Sequence, residues 1–231
     1  MTRMNINIEL GQTTYDEFTD AIIIIDVLRS FSTTAYLLAL PVKKIYLVKN
    51  IEEAHEYKNL FPDSVLIGES KGITPTSFDY GNSPSAVKNN ADLRNKVIIM
   101  STTNGITALL KEKKCCSVYA TSFLNLFATA LKMKEKGYNN ITLKPLTFRG
   151  EICQADLNCA EMLKKILLKE KCNVQHFINQ IYRSKSASVY LKDNNTSFPI
   201  NDLKMSLEVD RFSFTMRRYY ENEKWFLKIE L

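Results

Sequence analysis

Residues 21–40 read AIIIIDVLRSFSTTAYLLAL, and this stretch decides the fold. Residues 22–28 are apolar on both faces except at Asp26, which is typical of a central strand that helices cover on both sides. Residues 30–40 follow as a predicted helix, which Pro41 ends. A buried strand, a polar turn and a helix therefore form the first unit of the chain.

Similar units follow along the chain. We predict further strands at residues 44–48, 65–68, 96–101, 118–121 and 141–146, and helices at 51–60, 105–113, 124–136 and 155–170. Alternation of strand and helix over about 170 residues indicates an α/β layered sheet with right-handed crossovers. For residues 173–231 we predict one or two helices and short strands. No linker interrupts the pattern, so we expect one compact domain over residues 1–231.

The composition is that of a globular protein with a mildly basic surface. The chain has 231 residues, of which 45% are hydrophobic and 24% charged, so it can bury a core without disulfide or metal support. Lysine plus arginine total 31 against 25 aspartate plus glutamate, which gives a formal net charge of +6, spread along the chain. This excess fits an anionic substrate or nucleic acid equally well, and it more often reflects only a solvated basic surface.

The cysteines and the N-terminal sequence predict a cytoplasmic protein. The cysteine count is odd, with no CxxC pair and no histidine at zinc-ligand spacing, which indicates reduced thiols at Cys115, Cys116, Cys153, Cys159 and Cys172. Residues 1–10 lack the apolar core of a signal peptide. The apolar run at residues 21–25 is too short to span a bilayer, so we expect no membrane segment.

Polar residues concentrate where the predicted strands end. In α/β layered sheets, ligands bind outside the carboxyl ends of the strands. This rule selects residues 26–32, 68–84, 101–105, 121–125 and 147–156. The coincidence of these segments with the polar residues is the strongest argument from the residues alone for a functional site.

Asp26 and residues 101–105 (STTNG) are the sharpest candidates. Asp26 is either a metal ligand or general base, or an ion-paired structural group, because unpaired burial of a carboxylate costs several kcal/mol. In the second segment, Thr102, Thr103 and Asn104 could hold phosphate or sulfonate oxygens at a helix N-terminus. The alternative is a well-capped helix, which needs only one of these residues.

The long segment at residues 69–84 supplies two further candidates. A loop of this length without regular structure is more often functional than not. Glu69 and Asn82 are suited to contact a metal or a substrate, whereas Gly81 and Pro84 are explained by the backbone geometry of turns.

Several familiar catalytic motifs are absent from the sequence. There is no GxGxxG fingerprint, phosphate-binding P-loop, GxSxG elbow or HExxH zinc motif. Both histidines, His55 and His176, lie on polar helical stretches, and we expect them at the surface. Carboxylate, amide and hydroxyl groups remain, and these are the ligands of a hard cation such as Mg²⁺.

Five motifs occur in order along the chain: DVLRS at 26–30 with TT at 33–34, GE at 68–69, FDYGNSP at 78–84, TTNG at 102–105 and SFLN at 122–125. Together they resemble the motifs of 2-phosphosulfolactate phosphatases, the ComB family. The resemblance covers residues 20–160, and a weaker echo continues at Asp202 and at residues 210–212 (DRF).

The resemblance implies a magnesium-dependent acid phosphatase that hydrolyses the phosphate monoester of a small sulfonated or carboxylated acid. In the family this reaction yields sulfolactate on the route to coenzyme M. The resemblance also implies a three-layer α/β/α fold with a central, mostly parallel or mixed sheet. It further implies a homo-oligomer, which we expect to be a dimer.

The resemblance supplies positions for a site, and residue chemistry suggests the roles. We expect Asp26, Glu69 and Asp156 to hold Mg²⁺ or to activate the nucleophile, with Arg29 as a fourth catalytic residue that also holds the anionic substrate. The remaining substrate-binding residues are predicted to be Asn82, Ser83, Thr102, Thr103 and Asn104.

The chain also departs from the family pattern. Residues 145–150 (PLTFRG) stand where the family has a CAG-type strand end and a glycine-rich turn, and a Glu-Asp pair becomes Ala155-Asp156. Loss of one carboxylate from a metal or acid–base site costs orders of magnitude in rate. Glu151, one turn earlier, is a candidate substitute.

Two functions from different classes therefore remain open. One is an active phosphatase whose substrate is phosphosulfolactate or a close analogue. The other is a catalytically impaired family member that binds an anionic metabolite or a protein partner. A nucleic-acid-binding domain would need basic and aromatic residues on one face, and residues 217–220 (RRYY) are the one candidate. We expect them to be a solvated terminal segment, and we expect no nucleic-acid partner.

Overall fold

The computed structural model describes residues 4–10, 19–112, 117–148, 150–192 and 195–231. Within these ranges the strands are β1 (Asn5–Ile8), β2 (Ala21–Ile25), β3 (Lys44–Leu47), β4 (Val65–Gly68), β5 (Tyr80–Gly81), β6 (Val97–Ser101), β7 (Ser117–Thr121), β8 (Asn140–Pro145), β9 (Thr147–Phe148), β10 (Glu151–Ile152), β11 (Thr215–Glu221) and β12 (Lys224–Glu230). The helices in the same ranges are α1 (Ser30–Ala39), α2 (Ile51–Leu60), α3 (Pro84–Val87), α4 (Gly105–Lys111), α5 (Leu126–Glu135), α6 (Gln154–Leu168), α7 (Val174–Tyr182), α8 (Lys185–Ser188) and α9 (Ile200–Ser206). Short 3₁₀ helices cover Ala91–Leu93 and Phe123–Asn125.

The main sheet has ten strands in the described residues, in the order β1-β8-β2-β7-β11-β12-β3-β6-β4-β5. The first four strands form one parallel block, and the last four form another. Between the blocks lies the antiparallel hairpin β11–β12, which pairs antiparallel with β7 on one side and with β3 on the other. Three antiparallel junctions separate the blocks, so their strands run in opposite directions along the sheet.

Side-chain alternation along β2 explains the layers. Successive residues of a strand point to opposite faces, and all five residues of β2 are buried. Ile23 and Ile25 pack into a core with α5, α6 and α7, whereas Ile22 and Ile24 pack into a second core with α1 and α4. A third, smaller core packs α2 against the second block. The α/β/α arrangement with a mixed central sheet is therefore confirmed.

Most of the predicted units form close to their predicted positions. The helix at residues 51–60 and the strand at 65–68 match α2 and β4. The predicted strand at 22–28 ends earlier, because residues 26–28 turn into α1 and the Phe31 N–H donates to the Asp26 carbonyl at 3.2 Å. The predicted helix at 124–136 begins later, because Ser122 and Asn125 cap a 3₁₀ turn before α5.

The prediction that residues 217–220 form a solvated terminal segment is wrong. They belong to β11, and Arg218 is buried in the main sheet. Its Nη1 donates to the carbonyls of Leu109 and Glu112, which stand at the C-terminal end of α4, and its guanidinium lies 4.1 Å from the Trp225 ring centroid. Helix C-terminal carbonyls lack intrahelical partners, so a buried guanidinium there is compensated.

The histidines, the cysteines and the helices can each be compared with the expectations from the sequence. His55 and His176 are exposed, as predicted. Cys153, Cys159 and Cys172 are free thiols, whereas Cys115 and Cys116 lie outside the described residues. None of the helices in the described ranges is both long and apolar enough to cross a membrane.

Candidate active site

Residues that follow strands of both parallel blocks meet at one place. Ser30, after β2, donates from its hydroxyl to Thr102 Oγ1, after β6, at 3.1 Å. Asn82, after β5, approaches the same Ser30 hydroxyl through its Nδ2 at 3.5 Å. All three side chains are buried. The strand-end rule thus points to a cluster, and these contacts join residues that follow strands of the two oppositely directed blocks.

A pair of buried carboxylates, Asp26 and Asp156, forms the centre of this cluster. Their exposed fractions are 4% and 3%. Asp156 comes from the first turn of α6, and its Oδ1 accepts the Val27 N–H at 2.7 Å, which places it beside the segment that follows Asp26. The Asp26 Oδ1 accepts the Ser30 N–H at 3.2 Å.

Burial and neighbouring negative charge disfavour the charged form of both carboxylates. Burial raises the pKa of Asp26 to about 6; hydrogen bonds from Ser30 oppose this rise, and the charge of Glu69 adds to it. Burial also raises the pKa of Asp156 well above its ordinary value, and the charge of Asp26 is the next cause. Such a pair is typical of a site that binds a cation or handles a proton.

A glycine allows α4 to begin against this pair. A Cβ atom at Gly105 would lie 2.7 Å from Asp26 Oδ2 and 2.6 Å from Ser30 Cβ. Both distances are shorter than real Cβ contacts, so only glycine fits. The TTNG segment therefore approaches Asp26 as closely as its backbone permits.

Glu69 lies at the rim of the site, where it is bound to Thr103. The Thr103 N–H donates to Glu69 Oε1 at 2.7 Å, and the Thr103 hydroxyl donates to Oε2 at 3.0 Å. The Gly72 N–H also donates to Oε2, at 2.6 Å. Two predicted site residues thus contact each other. Glu69 still influences the centre, because its charge helps to raise the pKa of Asp26.

Arg29 lies beside the carboxylate pair but is held by the C-terminal part of the chain. Its Nη1 donates to Asp202 Oδ2 at 2.7 Å and to the Ser197 carbonyl at 2.9 Å. The Phe198 ring centroid lies 4.6 Å from the guanidinium carbon. The charge of Arg29 reaches Asp26, where it lowers the pKa.

The other predicted substrate-binding residues divide into two groups. Ser83 and Thr102 already have structural partners, because Ser83 donates to Asp202 Oδ1 at 2.8 Å and Thr102 Oγ1 accepts the Ile106 N–H at 2.9 Å. Asn82 and Asn104 retain free capacity. Within the described residues Asn82 Oδ1 is buried without a hydrogen-bond partner, and the Asn104 side chain makes no capping bond.

Sequence reasoning missed three residues of this neighbourhood. Ser30 stands in the DVLRS motif, so its place beside Asp26 was a usable signal. For Asp202 the only signal was a weaker resemblance to the family motifs. Cys153 gave no signal: burial, followed by the charge of Asp156, raises the pKa of its thiol well above its ordinary value.

The altered segment before α6 does not restore the missing carboxylate. Ala155 is fully buried in the core. Glu151, the candidate substitute, lies in β10, where it is exposed and paired with Lys185 at 2.8 Å. The suggestion that Glu151 replaces the lost carboxylate is therefore wrong, because the residue precedes the helix and points to a surface partner.

The residues present fit one hard cation held largely by water. The described ranges contain no cluster of three or more histidine, cysteine, aspartate or glutamate side chains arranged to hold a metal. Mg²⁺ does not need one, since it usually keeps several waters and binds through one or two carboxylates. The carboxylates of Asp26 and Asp156, together with the Asn82 oxygen that has no hydrogen-bond partner among the described residues, are such a donor set.

Comparison with known proteins shows the family of the chain. The family model for 2-phosphosulpholactate phosphatase matches residues 8–213. A Bacillus subtilis protein named "Probable 2-phosphosulfolactate phosphatase" is 33% identical over 183 residues, which cover 79% of this chain and 78% of the relative. A Thermoplasma volcanium protein of the same name is 33% identical over 188 residues, covering 81% and 84%. The chain therefore belongs to the 2-phosphosulpholactate phosphatase family.

Proposed function

We propose that this protein is a Mg²⁺-dependent phosphatase that hydrolyses the phosphate monoester of 2-phosphosulfolactate or of a close analogue. The observation that carries the proposal is the buried Asp26–Asp156 pair at the strand ends, with Arg29 beside it. The names of the relatives support the choice of substrate, and the product would be sulfolactate.

Asp26 and Asp156 would hold the cation, with Glu69 as the third predicted ligand. When bound, Mg²⁺ neutralises phosphate charge and lowers the pKa of a coordinated water. The protein's own contribution is to keep the two carboxylates side by side. The Val27 and Ser30 N–H groups fix one oxygen of each carboxylate.

The remaining polar groups would bind and orient the anionic substrate. Arg29 brings a positive charge next to the carboxylates, and a guanidinium binds phosphate oxygens with defined geometry. The carboxamides of Asn82 and Asn104 have unused hydrogen-bonding groups. We assign the N–H groups of both carboxamides to the oxygens of the phosphate and of the sulfonate or carboxylate, whereas Asn82 Oδ1, an acceptor, would face the cation or its water.

One observation favours a second candidate function, a catalytically impaired protein that binds an anionic metabolite or a protein partner. The position that resembles the family's additional carboxylate holds Ala155, whose side chain is buried in the core, and Glu151 does not compensate. A site with fewer carboxylates would bind an anion with less repulsion, because each buried carboxylate repels it.

Phosphate release distinguishes the two functions. The substrates are 2-phosphosulfolactate, 2-phosphoglycolate and 2-phospholactate, each with Mg²⁺ and with chelator, and the variants are Asp26→Asn and the exposed Asp63→Asn. We expect Mg²⁺-dependent turnover that Asp26→Asn abolishes and Asp63→Asn retains. Folded parent protein that turns over none of these substrates, yet binds sulfolactate in calorimetry, would instead support the binding function.

A further inference from the structure

The Arg29 guanidinium is held from one side only. Its Nη1 makes both hydrogen bonds, to Asp202 Oδ2 at 2.7 Å and to the Ser197 carbonyl at 2.9 Å. Within the described residues, Nη2 and Nε make no hydrogen bond. Phe198 and Tyr190 lie 4.6 and 5.8 Å from the guanidinium carbon, so aromatic rings also restrict its movement.

Asp202, on α9, is itself rigidly fixed. Its side chain is fully buried. Its Oδ1 accepts the Ser83 hydroxyl at 2.8 Å, the Ser85 hydroxyl at 2.6 Å and the Ser85 N–H at 3.0 Å. The other oxygen, Oδ2, is left for Arg29. Four donors on one buried carboxylate exceed what simple neutralisation of a guanidinium requires.

This arrangement connects three distant parts of the chain to the site. Asp202 is 173 residues from Arg29, and Ser83 and Ser85 flank the first residue of α3, just after the GN dipeptide of the FDYGNSP motif. An arginine that binds a phosphate needs its free N–H groups held in one orientation, because a misplaced donor loses much of the benefit of binding.

We infer that Asp202 is a positioning residue for Arg29, which it holds by Nη1 so that the remaining N–H groups bind the phosphate oxygens of the substrate. The inference rests on the proposed function, since the bound anion is taken to be the substrate's phosphate. It gives Ser83 a different role from the predicted one: this residue fixes Asp202 and does not touch the substrate.

Asp202→Asn tests the inference sharply. The Asn oxygen can still accept from Ser83 and Ser85, but the amide nitrogen then faces Arg29 Nη1, so donor meets donor. We expect the KM for the phosphate ester, and the inhibition constant of inorganic phosphate, to rise about tenfold or more, with a smaller change in kcat. The control is Glu208→Gln, which removes the partner of Arg211 in an exposed pair of the same length (2.7 Å), and it should leave both constants within about twofold.

A double-mutant cycle separates positioning from a general loss of structure. Arg29→Met combined with Asp202→Asn should be no worse than Arg29→Met alone, because the first change already removes the ion pair that the second would break. Multiplicative effects would overturn the inference. So would a folded Asp202→Asn protein whose KM and phosphate inhibition constant equal those of the parent.

A second variant and a binding measurement test the inference even if Asp202→Asn does not fold. If Asp202→Asn does not fold, Ser85→Ala removes one of the bonds that fix Asp202 and leaves two, and it should weaken phosphate binding a few-fold in a protein that still folds. Calorimetry with inorganic phosphate on the parent protein shows whether the proposed activity alone or both proposals have failed. Phosphate binding without turnover would contradict the proposed activity alone, whereas a parent that does not bind phosphate would overturn both proposals.

Discussion

At the scale of single residues, Asp156 shows how a site can reduce the stability of the protein that carries it. Its carboxylate is buried beside Asp26, and both pKa values lie above their ordinary range because burial and like charge disfavour ionisation. A carboxylate whose folded-state pKa is raised lowers stability at neutral pH, because the unfolded chain ionises it more easily. The cation that we propose would remove this penalty.

Asp156→Asn should therefore stabilise the metal-free protein and abolish its activity. The Asn oxygen can still accept the Val27 N–H, while the repulsion with Asp26 is lost. In chelator we expect the free energy of unfolding to rise by about 1 kcal/mol or more, measured by urea denaturation. Adding Mg²⁺ should raise the Tm of the parent and not that of the variant. A variant less stable than the parent in chelator would contradict this account.

Gly105→Ala should damage the site more than the fold. The added Cβ would lie 2.7 Å from Asp26 Oδ2, so α4 and the carboxylate must move apart. We expect a loss of about 1–3 kcal/mol in unfolding free energy and a large fall in kcat/KM per folded molecule.

The matched control for this change is Gly137→Ala. Gly137 has φ +67 and nothing within 4 Å of its Cβ position, so alanine there costs stability through backbone strain alone. Its kcat/KM should equal that of the parent. Equal activity in both variants would show that the close approach of α4 to Asp26 has no catalytic importance.

At the scale of elements, the sequence predicts the strand–helix units well and the C-terminal hairpin poorly. The units are local, and β2 followed by α1 can be recognised from twenty consecutive residues. The hairpin interleaves charged and apolar residues, because long basic side chains such as Arg218 are buried against helix carbonyls. Its turn also lacks the usual glycine: Asn222 and Glu223 adopt φ values of +48 and +59.

The residues of the candidate site also differ in whether a local sequence pattern predicts them. Asp26, Glu69 and Thr102 follow strands, so a rule about strand ends finds them. Asp202 stands on a helix far along the chain and reaches the site only through tertiary packing. No local pattern could predict the Arg29–Asp202 pair, whose members are 173 residues apart.

Glu230 stabilises the hairpin in a pH-dependent way. It accepts from Lys136 at 2.8 Å, from Arg217 at 3.1 Å and from the Tyr119 hydroxyl at 3.0 Å. Burial raises the pKa of Glu230, but the bonds from Lys136 and Tyr119 and the charge of Arg217 outweigh burial, so its pKa is lowered. A lowered folded-state pKa contributes stability above the unfolded-state pKa, and this contribution disappears as the pH falls through the folded-state value.

Glu230→Gln should therefore cost about 0.5–1.5 kcal/mol of unfolding free energy at pH 7, and the difference should shrink below a pH of about 4. Urea denaturation at both pH values measures it. Glu221→Gln is the control, since Glu221 pairs with Lys44 at an exposed site (3.0 Å) and should have little effect at either pH. A loss of equal size at both pH values would show that charge is not the cause.

At the scale of the whole molecule, the hairpin joins two parallel blocks that make no strand pairing with each other in the described residues. Without β11 and β12, both β7 and β3 would present open edges. Unpaired edges of buried parallel sheets are sites of aggregation. The cluster of Ser30, Asn82 and Thr102, which draws on both blocks, depends on that junction.

A chain that stops at residue 213 should therefore aggregate or remain partly unfolded, even though it retains every residue assigned to the site. Size-exclusion chromatography and circular dichroism would measure this. Removal of Leu231 alone, whose side chain is 88% exposed, should leave a folded protein. A monodisperse, active protein ending at residue 213 would contradict the role given to the hairpin.

The place of the hairpin in the sheet also has a consequence for synthesis on the ribosome. Every strand of both blocks is translated before β11 and β12, yet these two strands fill the gap between the blocks. The nascent chain therefore emerges as two growing blocks with open inner edges, and Arg29 leaves the exit tunnel long before Asp202. Vectorial folding can complete each block separately, but the paired guanidinium needs residue 202 and the joined sheet needs residues 215–230, so both form only after these residues have emerged.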